Sequence, residues 1–326
     1  MHSESATTTQ TPTGQKSVSG LLILLLFFFS GAFGLVYQVV WSRMMMQVFG
    51  STAEAVGTVL AAFMTGLAIG AWLLGKVADQ ERNNLRLYAI LEMGIAISAL
   101  IVHTLLQQIN PLQVMLFEWL GSSPAWFAVL RFMFAFLLIV GPTALMGATL
   151  PVLTRYLVNQ ESVVGVKLSS LYAVNTLGAV SGVLLTGFFL IGAYGIHVPV
   201  YIAVLGNVVL GLIAWTFSRQ KCDPASRAGL ETPQPRPDSS QAAGALTYRV
   251  ILFGLGISGF TSFAYEIYWT RSLVFIMGNS TYALSTMLTA FLTGIALGAY
   301  LVRFVLSGNT DRCVLFGWIQ VALGVT

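Results

Sequence analysis

Apolar runs of eighteen or more residues recur from near the start of the chain to its last residues, separated by short polar breaks. Each is long enough to cross a bilayer core of about 30 Å. Hydrocarbon offers no water to the backbone N–H and C=O groups, so such runs must be helical. The expected spans are 19–40, 53–74, 87–106, 126–147, 170–191 and 198–217, then 249–268, 281–302 and 314 onward. The alternating segments of about ten residues that build an outer-membrane barrel are absent. The pattern predicts an all-α, polytopic transmembrane helix bundle. Residues 1–17 read as a disordered, Ser/Thr-rich tail. Residues 218–248, with Pro224, Pro233, Pro235 and Pro237 among Ser, Gln and Ala, read as a flexible linker.

Composition agrees with this reading and removes several classes of function. Charged residues make up 9% of the chain, against about 25% in a soluble domain. The net charge of +4 is no nucleic-acid signal, because the basic residues are sorted by position. With the N-terminus in the cytoplasm, Arg43, Arg131 and Arg271 fall toward the outer side. The other 13 of the 16 Lys and Arg fall inside (16 minus 3), as the positive-inside rule requires. Cys222 and Cys313 then both lie in cytoplasmic segments, which argues against a disulfide or a metal site. Lys16 is the one basic residue before the first apolar run, which is too long for a signal-peptide core and lacks a small-x-small cleavage site. It reads as a retained first helix.

An internal repeat supplies the strongest single signal. At a shift of 228 positions (259 minus 31), Gly31, Tyr37, Trp41, Arg43 and Gly50 fall on Gly259, Tyr265, Trp269, Arg271 and Gly278. Without a gap, Phe63, Thr65, Gly66, Ala68 and Gly70 continue onto Phe291, Thr293, Gly294, Ala296 and Gly298. Six spans separate the copies, so both run in the same direction. Two parallel six-helix units joined by a cytoplasmic linker is the plan of the major facilitator transporters, whose substrate site lies between the halves. The expected units are 18–217 and an incomplete second one over 249–326, which ends within its third helix. The chain therefore reads as a fragment or a truncated product.

Three stretches resemble one family, the bacterial membrane proteins described as fused major-facilitator/spermidine synthases. The first is Gly34-Leu-Val-Tyr-Gln-Val-Val-Trp-Ser-Arg43 with Phe63-Met-Thr-Gly-Leu-Ala-Ile-Gly70. The second is Pro142-Thr-Ala-Leu-Met-Gly-Ala-Thr-Leu-Pro151, and the third is Leu171-Tyr-Ala-Val-Asn-Thr-Leu-Gly-Ala-Val-Ser-Gly182. Tyr265-Glu-Ile-Tyr-Trp-Thr-Arg271 belongs to the same pattern. The resemblance implies a transporter-like region in the bacterial inner membrane, with polyamines as the solute class. In full-length relatives it precedes a cytoplasmic aminopropyltransferase-like domain. This chain has no Gly-rich strand-to-helix turn followed by an acidic ribose-binding residue, and no paired Asp constellation for a diamine. Neither synthase activity nor a cofactor is expected of it. The family usually has Glu where the first copy has Gln38, whereas the second copy keeps Glu266.

Several polar residues within the apolar runs are candidates for chemistry. Glu92 stands inside the third span, where a carboxylate is costly and faces a cavity, a partner or a proton route. A structural hydrogen bond to Asn175 or Tyr172 is the plainer alternative. Glu266 reads as shallower and solvated, and with Glu92 as a cation-binding candidate. Tyr37, Trp41 and Arg43, with Tyr265, Trp269 and Arg271, are expected at the outer surface. There they are either an interfacial aromatic belt with a snorkelling Arg or an external gate. Asp79 with Arg82 resembles a cytoplasmic lock in major facilitators, or is a solvated charged turn. Gly66/Gly70, Gly294/Gly298 and Gly178/Gly182 predict close helix packing. Asn175 and Asn207 predict hydrogen bonds between helices. Pro142 and Pro151 predict a kink or stop at the end of the fourth span. His103 and His197 are expected near the outer boundary, without metal-ligand spacing.

Overall fold

The computed structural model describes residues 20–50, 52–81, 83–108, 124–157, 164–219, 241–306 and 312–325. Helices account for nearly all of them, with no strand among the described residues. The helices are α1 (Gly20–Phe49), α2 (Thr52–Gln80), α3 (Asn84–Gln107), α4 (Pro124–Leu157), α5 (Val164–Leu184), α6 (His197–Ser218), α7 (Gln241–Met277), α8 (Ser280–Leu306) and α9 (Arg312–Val325). After α5 the chain continues through a π-helical turn, Leu185–Leu190, and a short α-helical turn, Ile191–Tyr194.

Among the described residues, eight segments are long and apolar enough to cross a membrane: Gly20–Phe49, Thr52–Gln80, Asn84–Gln107, Val129–Leu157, Leu168–Tyr194, His197–Ser218, Arg249–Met277 and Ser280–Leu301. They coincide with the first eight expected spans. The described part of the ninth, α9, has 14 residues, about 21 Å at 1.5 Å per residue.

Antiparallel alternation follows from which half of each helix enters which core. One core joins Val36–Val48 of α1, Ala55–Phe63 of α2, Ile95–Leu106 of α3, Ala135 and Ile139 of α4, and Val200 and Ala203 of α6. The other joins Ile23–Phe27 of α1, Ala78 of α2, Leu85–Leu91 of α3, Ala148–Leu153 of α4, and Leu210 and Ala214 of α6. Successive helices thus contribute opposite ends to each core. The principal packings are α2 on α4, α1 on α5 and α3 on α6. A third cluster, Val39, Val56, Val183, Leu284, Met287 and Leu288, attaches α8 to α1, α2 and α5. α7 is peripheral: 6% of its most apolar window is buried, against 39% for α1. Phe253, Phe260, Phe275 and Ile276 stand on its open surface, where acyl chains replace water as the solvent.

Glycine explains the close packings. A Cβ on Gly70 would run into the Ala144 carbonyl, one on Gly147 into Leu67, and one on Gly66 into the Thr143 side chain. Gly178 and Gly182 meet the backbone of Phe28 and Ala32 in the same way. The second copy differs. At Gly259, Gly294 and Gly298 an added Cβ meets nothing within 4 Å, so among the described residues the expected second Gly-x-x-x-Gly packing has no partner helix.

Local geometry does repeat. Gly50 and Gly278 have φ of +68° and +65°, which side chains rarely tolerate. They donate to Met46 O at 3.0 Å and Val274 O at 2.9 Å, closing α1 and α7 at equivalent positions. Two expected boundaries move. α7 starts at Gln241, so residues 241–248, expected in the linker, are its first two turns; the linker's 220–240 and the tail 1–17 lie outside the described residues. α4 runs unbroken through Pro142 and Pro151 rather than stopping there. Proline is tolerated inside a membrane helix because neighbouring helices and Ser/Thr hydroxyls satisfy the released carbonyls.

Candidate functional site

Among the described residues, Glu92 is the carboxylate buried without any exposure. Glu92 is on the inward face of α3, 0% exposed, where α3 meets α1 and α6. Its partner is neither Asn175 nor Tyr172 but Ser30 on α1, whose Oγ donates to Oε1 at 2.6 Å. Tyr172 is exposed on α5, and Asn175 is turned toward α1, where its Nδ2 donates to Phe27 O at 2.9 Å. Oε2 of Glu92 makes no well-formed hydrogen bond, although the Tyr88 hydroxyl lies within reach of the carboxylate. The fully buried Tyr88 lies one turn before Glu92 and directs its hydroxyl to Leu26 O at 3.3 Å.

Further along α1, Tyr37 and Trp41 continue this polar seam, and both are 0% exposed. Both rings are turned into the bundle rather than exposed on its surface, as an interfacial aromatic belt requires. No breaker interrupts α1 before Gly50, so residues 37–41 fall inside the helix and turn toward the core. The two rings stack at 5.3 Å, and Phe63 packs on Trp41 at 6.0 Å. Asn207 of α6 donates its Nδ2 to Tyr37 Oη at 3.4 Å, leaving its Oδ1 unpartnered. Indole Nε1 of Trp41 is unpartnered as well. Ser30, Tyr37, Trp41, Tyr88, Glu92 and Asn207 thus form a buried polar and aromatic column on three helices. Sequence reading singled out Glu92, Tyr37 and Trp41, and Asn207 for a hydrogen bond between helices. Ser30 and Tyr88 were missed because an ordinary serine and tyrosine in an apolar run carry no signal until α1 and α3 are packed together.

The second copy does not reproduce the column. Tyr265 and Trp269 are exposed, as is Arg271, since none of the described residues covers that face of α7. Glu266, expected to be shallow, is instead buried at 3% exposure, and so is its counterpart Gln38 at 5%. α7 packs on α8 and α2 rather than on α3, so Glu266 does not join the Glu92 column. Where the π-helical turn meets α8, Gly187 abuts Ser285. The Thr186, Ser285 and Thr289 hydroxyls have no partner there, a buried polar patch that the sequence did not reveal.

The two ends of the bundle differ in charge. At one, Arg155 approaches Asp79 at 3.6 Å, with both side chains well exposed. Asn83 donates to Ser218 O at 2.8 Å, and Arg86 and Arg219 lie over the Trp215 ring. The partner of Asp79 is therefore Arg155; Arg82 lies outside the described residues. At the other end Arg43 donates to Ser280 Oγ at 3.3 Å, linking α1 to α8. Arg131 donates to Val48 O at 3.0 Å. His103 and His197, expected as separate interfacial residues, come together here, their facing ring nitrogens 3.1 Å apart.

These features define a multi-pass, all-helical membrane protein with a buried carboxylate in its bundle. Compared with protein-family models, with curated proteins and with solved structures, the chain matches none.

Proposed function

We propose that this chain is a transporter-like membrane domain that moves, or guides to a partner enzyme, a small organic cation, with Glu92 as its principal anionic group. The single observation that carries the reading is Glu92, a carboxylate at 0% exposure with one oxygen lacking a well-formed hydrogen bond. A buried charge is costly unless paired, and no Lys or Arg among the described residues pairs with it. A transported cation or a proton supplies the missing partner. The faces of Tyr37 and Trp41 along the same column suit an organic cation.

The resemblance to fused major-facilitator/spermidine synthases adds polyamines as the solute class. It also adds a mechanism in which two halves rock about a central site, with Glu266 as the acidic group of the second half. The same resemblance supplies the rival role, a membrane anchor for a cytoplasmic aminopropyltransferase domain or subunit. The test is uptake of labelled putrescine and spermidine into proteoliposomes. Transport by the wild type, lost in Glu92→Gln, is expected. Flat uptake of both solutes overturns transport and leaves the anchor role. Uptake unchanged in Glu92→Gln removes Glu92 from the mechanism.

A further inference from the structure

Three buried polar atoms along the Glu92 column are poorly paired, and they come in a fixed order. Glu92 Oε2 makes no well-formed hydrogen bond, and Asn207 Oδ1 and Trp41 Nε1 make none. The three residues are 0%, 2% and 0% exposed. Helix α1 serves as a ruler between them. Ser30, hydrogen-bonded to Glu92, marks the first level, and Tyr37, hydrogen-bonded to Asn207, marks the second. Trp41 stands about one turn beyond Tyr37.

The chemistry of these atoms restricts what can pair with them. Carboxylate and amide oxygens only accept, whereas an indole N–H only donates. A molecule that satisfies all three presents a donor, a second donor and then an acceptor. Protonated diamines and polyamines carry donors alone. An ammonium group at the third level leaves the Trp41 N–H unpaired and adds an uncompensated buried charge. Along α1 the first and third levels are 11 residues apart (41 minus 30), about 16 Å at 1.5 Å per residue. A hydrogen bond of about 2.9 Å at each end leaves about 10 Å for the molecule. At about 1.2 Å per bond of extended chain, that is about eight bonds from first donor to acceptor.

We propose that this column takes an N-acylated short diamine, with its ammonium on Glu92, its amide N–H on Asn207 Oδ1 and its carbonyl accepting from Trp41 Nε1. With Glu92 as the anionic group of a transport site, on which this assignment rests, the solute class narrows from polyamines to mono-acylated diamines. Acylation removes the second charge and turns the far amine into an amide that both donates and accepts. An acetylated diamine of four or five carbons has about seven or eight bonds between its ammonium nitrogen and carbonyl oxygen, the span required. The column is shut in this structure, with Tyr37 stacked on Trp41 at 5.3 Å. Its walls belong to separately packed pairs, since α1 packs chiefly on α5 and α3 on α6. Parting α1 from α3 opens the column and leaves both pairs intact.

The full chain in lipid nanodiscs is titrated calorimetrically with N-acetylcadaverine and with cadaverine, and uptake of both is followed in proteoliposomes. The wild type should bind the acetylated compound about tenfold more tightly, the effect of one buried polar group left unpaired by the other. Trp41→Phe keeps an aromatic ring without an N–H and should bring that ratio to about one. Equal or tighter binding of cadaverine by the wild type overturns the assignment, and that comparison depends on no variant. A ratio that survives in Trp41→Phe also overturns it, because a merely structural tryptophan lowers both affinities alike. So does the absence of binding by either compound. Preferential binding without uptake removes transport and keeps the acylated ligand. Uptake of both compounds without preference keeps transport and removes the acylated ligand.

Discussion

At the scale of single residues, Ser30 and Glu92 hold opposite positions in one energetic argument. Ser30 supplies the hydrogen bond that Glu92 Oε1 receives. Ser30→Ala leaves a buried acceptor unsatisfied and should destabilise the protein by about 1–3 kcal/mol, read as a fall in Tm in detergent. Glu92→Gln removes the charge while its Oε1 still accepts from Ser30, so its Tm should be no lower than that of the wild type. A marked loss of stability in Glu92→Gln would show that the carboxylate is held by a cationic partner within the fold. Glu92 was legible in the sequence because a carboxylate in an apolar run is rare. Its partner was not, because Ser30 and Glu92 are 62 positions apart and serine is an unremarkable helix residue.

At the scale of elements, the glycine motifs mark where helices touch, but only one copy uses them. Gly70→Ala drives a methyl into the Ala144 carbonyl and should cost about 1–3 kcal/mol, as overpacking does. Gly298→Ala, its repeat counterpart, points into open space and should stay within about 0.5 kcal/mol of the wild type. Thermal unfolding of the two variants side by side checks the contrast. Equal losses would mean that the Gly298 face is covered in the membrane by a further helix. Motif spacing predicted both packings equally, because periodicity reports which face is smooth and not what lies against it. Neither proline stops the helix: in lipid a helix has no favourable alternative, so Pro142 and Pro151 are absorbed within α4.

At the scale of the whole molecule, the unequal charge of the two bundle ends bears on orientation. Asp79, Arg86, Arg155 and Arg219 meet at one end, and Arg43 and Arg131 at the other. If the richer end faces the cytoplasm, an impermeant thiol reagent added outside intact cells should leave Cys222 unlabelled and should label it after lysis. Labelling from outside would invert the assignment, and with it the sidedness of the histidine cluster. The exposed Asp79–Arg155 pair itself should matter little to stability, since surface ion pairs contribute about 0–1 kcal/mol.

The amino-acid sequence alone specified the helices, their number within the described span and the repeated corner at Gly50 and Gly278. These depend on local hydropathy and on backbone sterics, which neighbouring residues carry. Packing in three dimensions chose the partners: Ser30 for Glu92, Arg155 for Asp79, Asn207 for Tyr37, and His197 for His103. It also buried Tyr37 and Trp41 while leaving Tyr265 and Trp269 exposed, although their sequence surroundings repeat. Identical residues met different neighbours, and burial belongs to the neighbours.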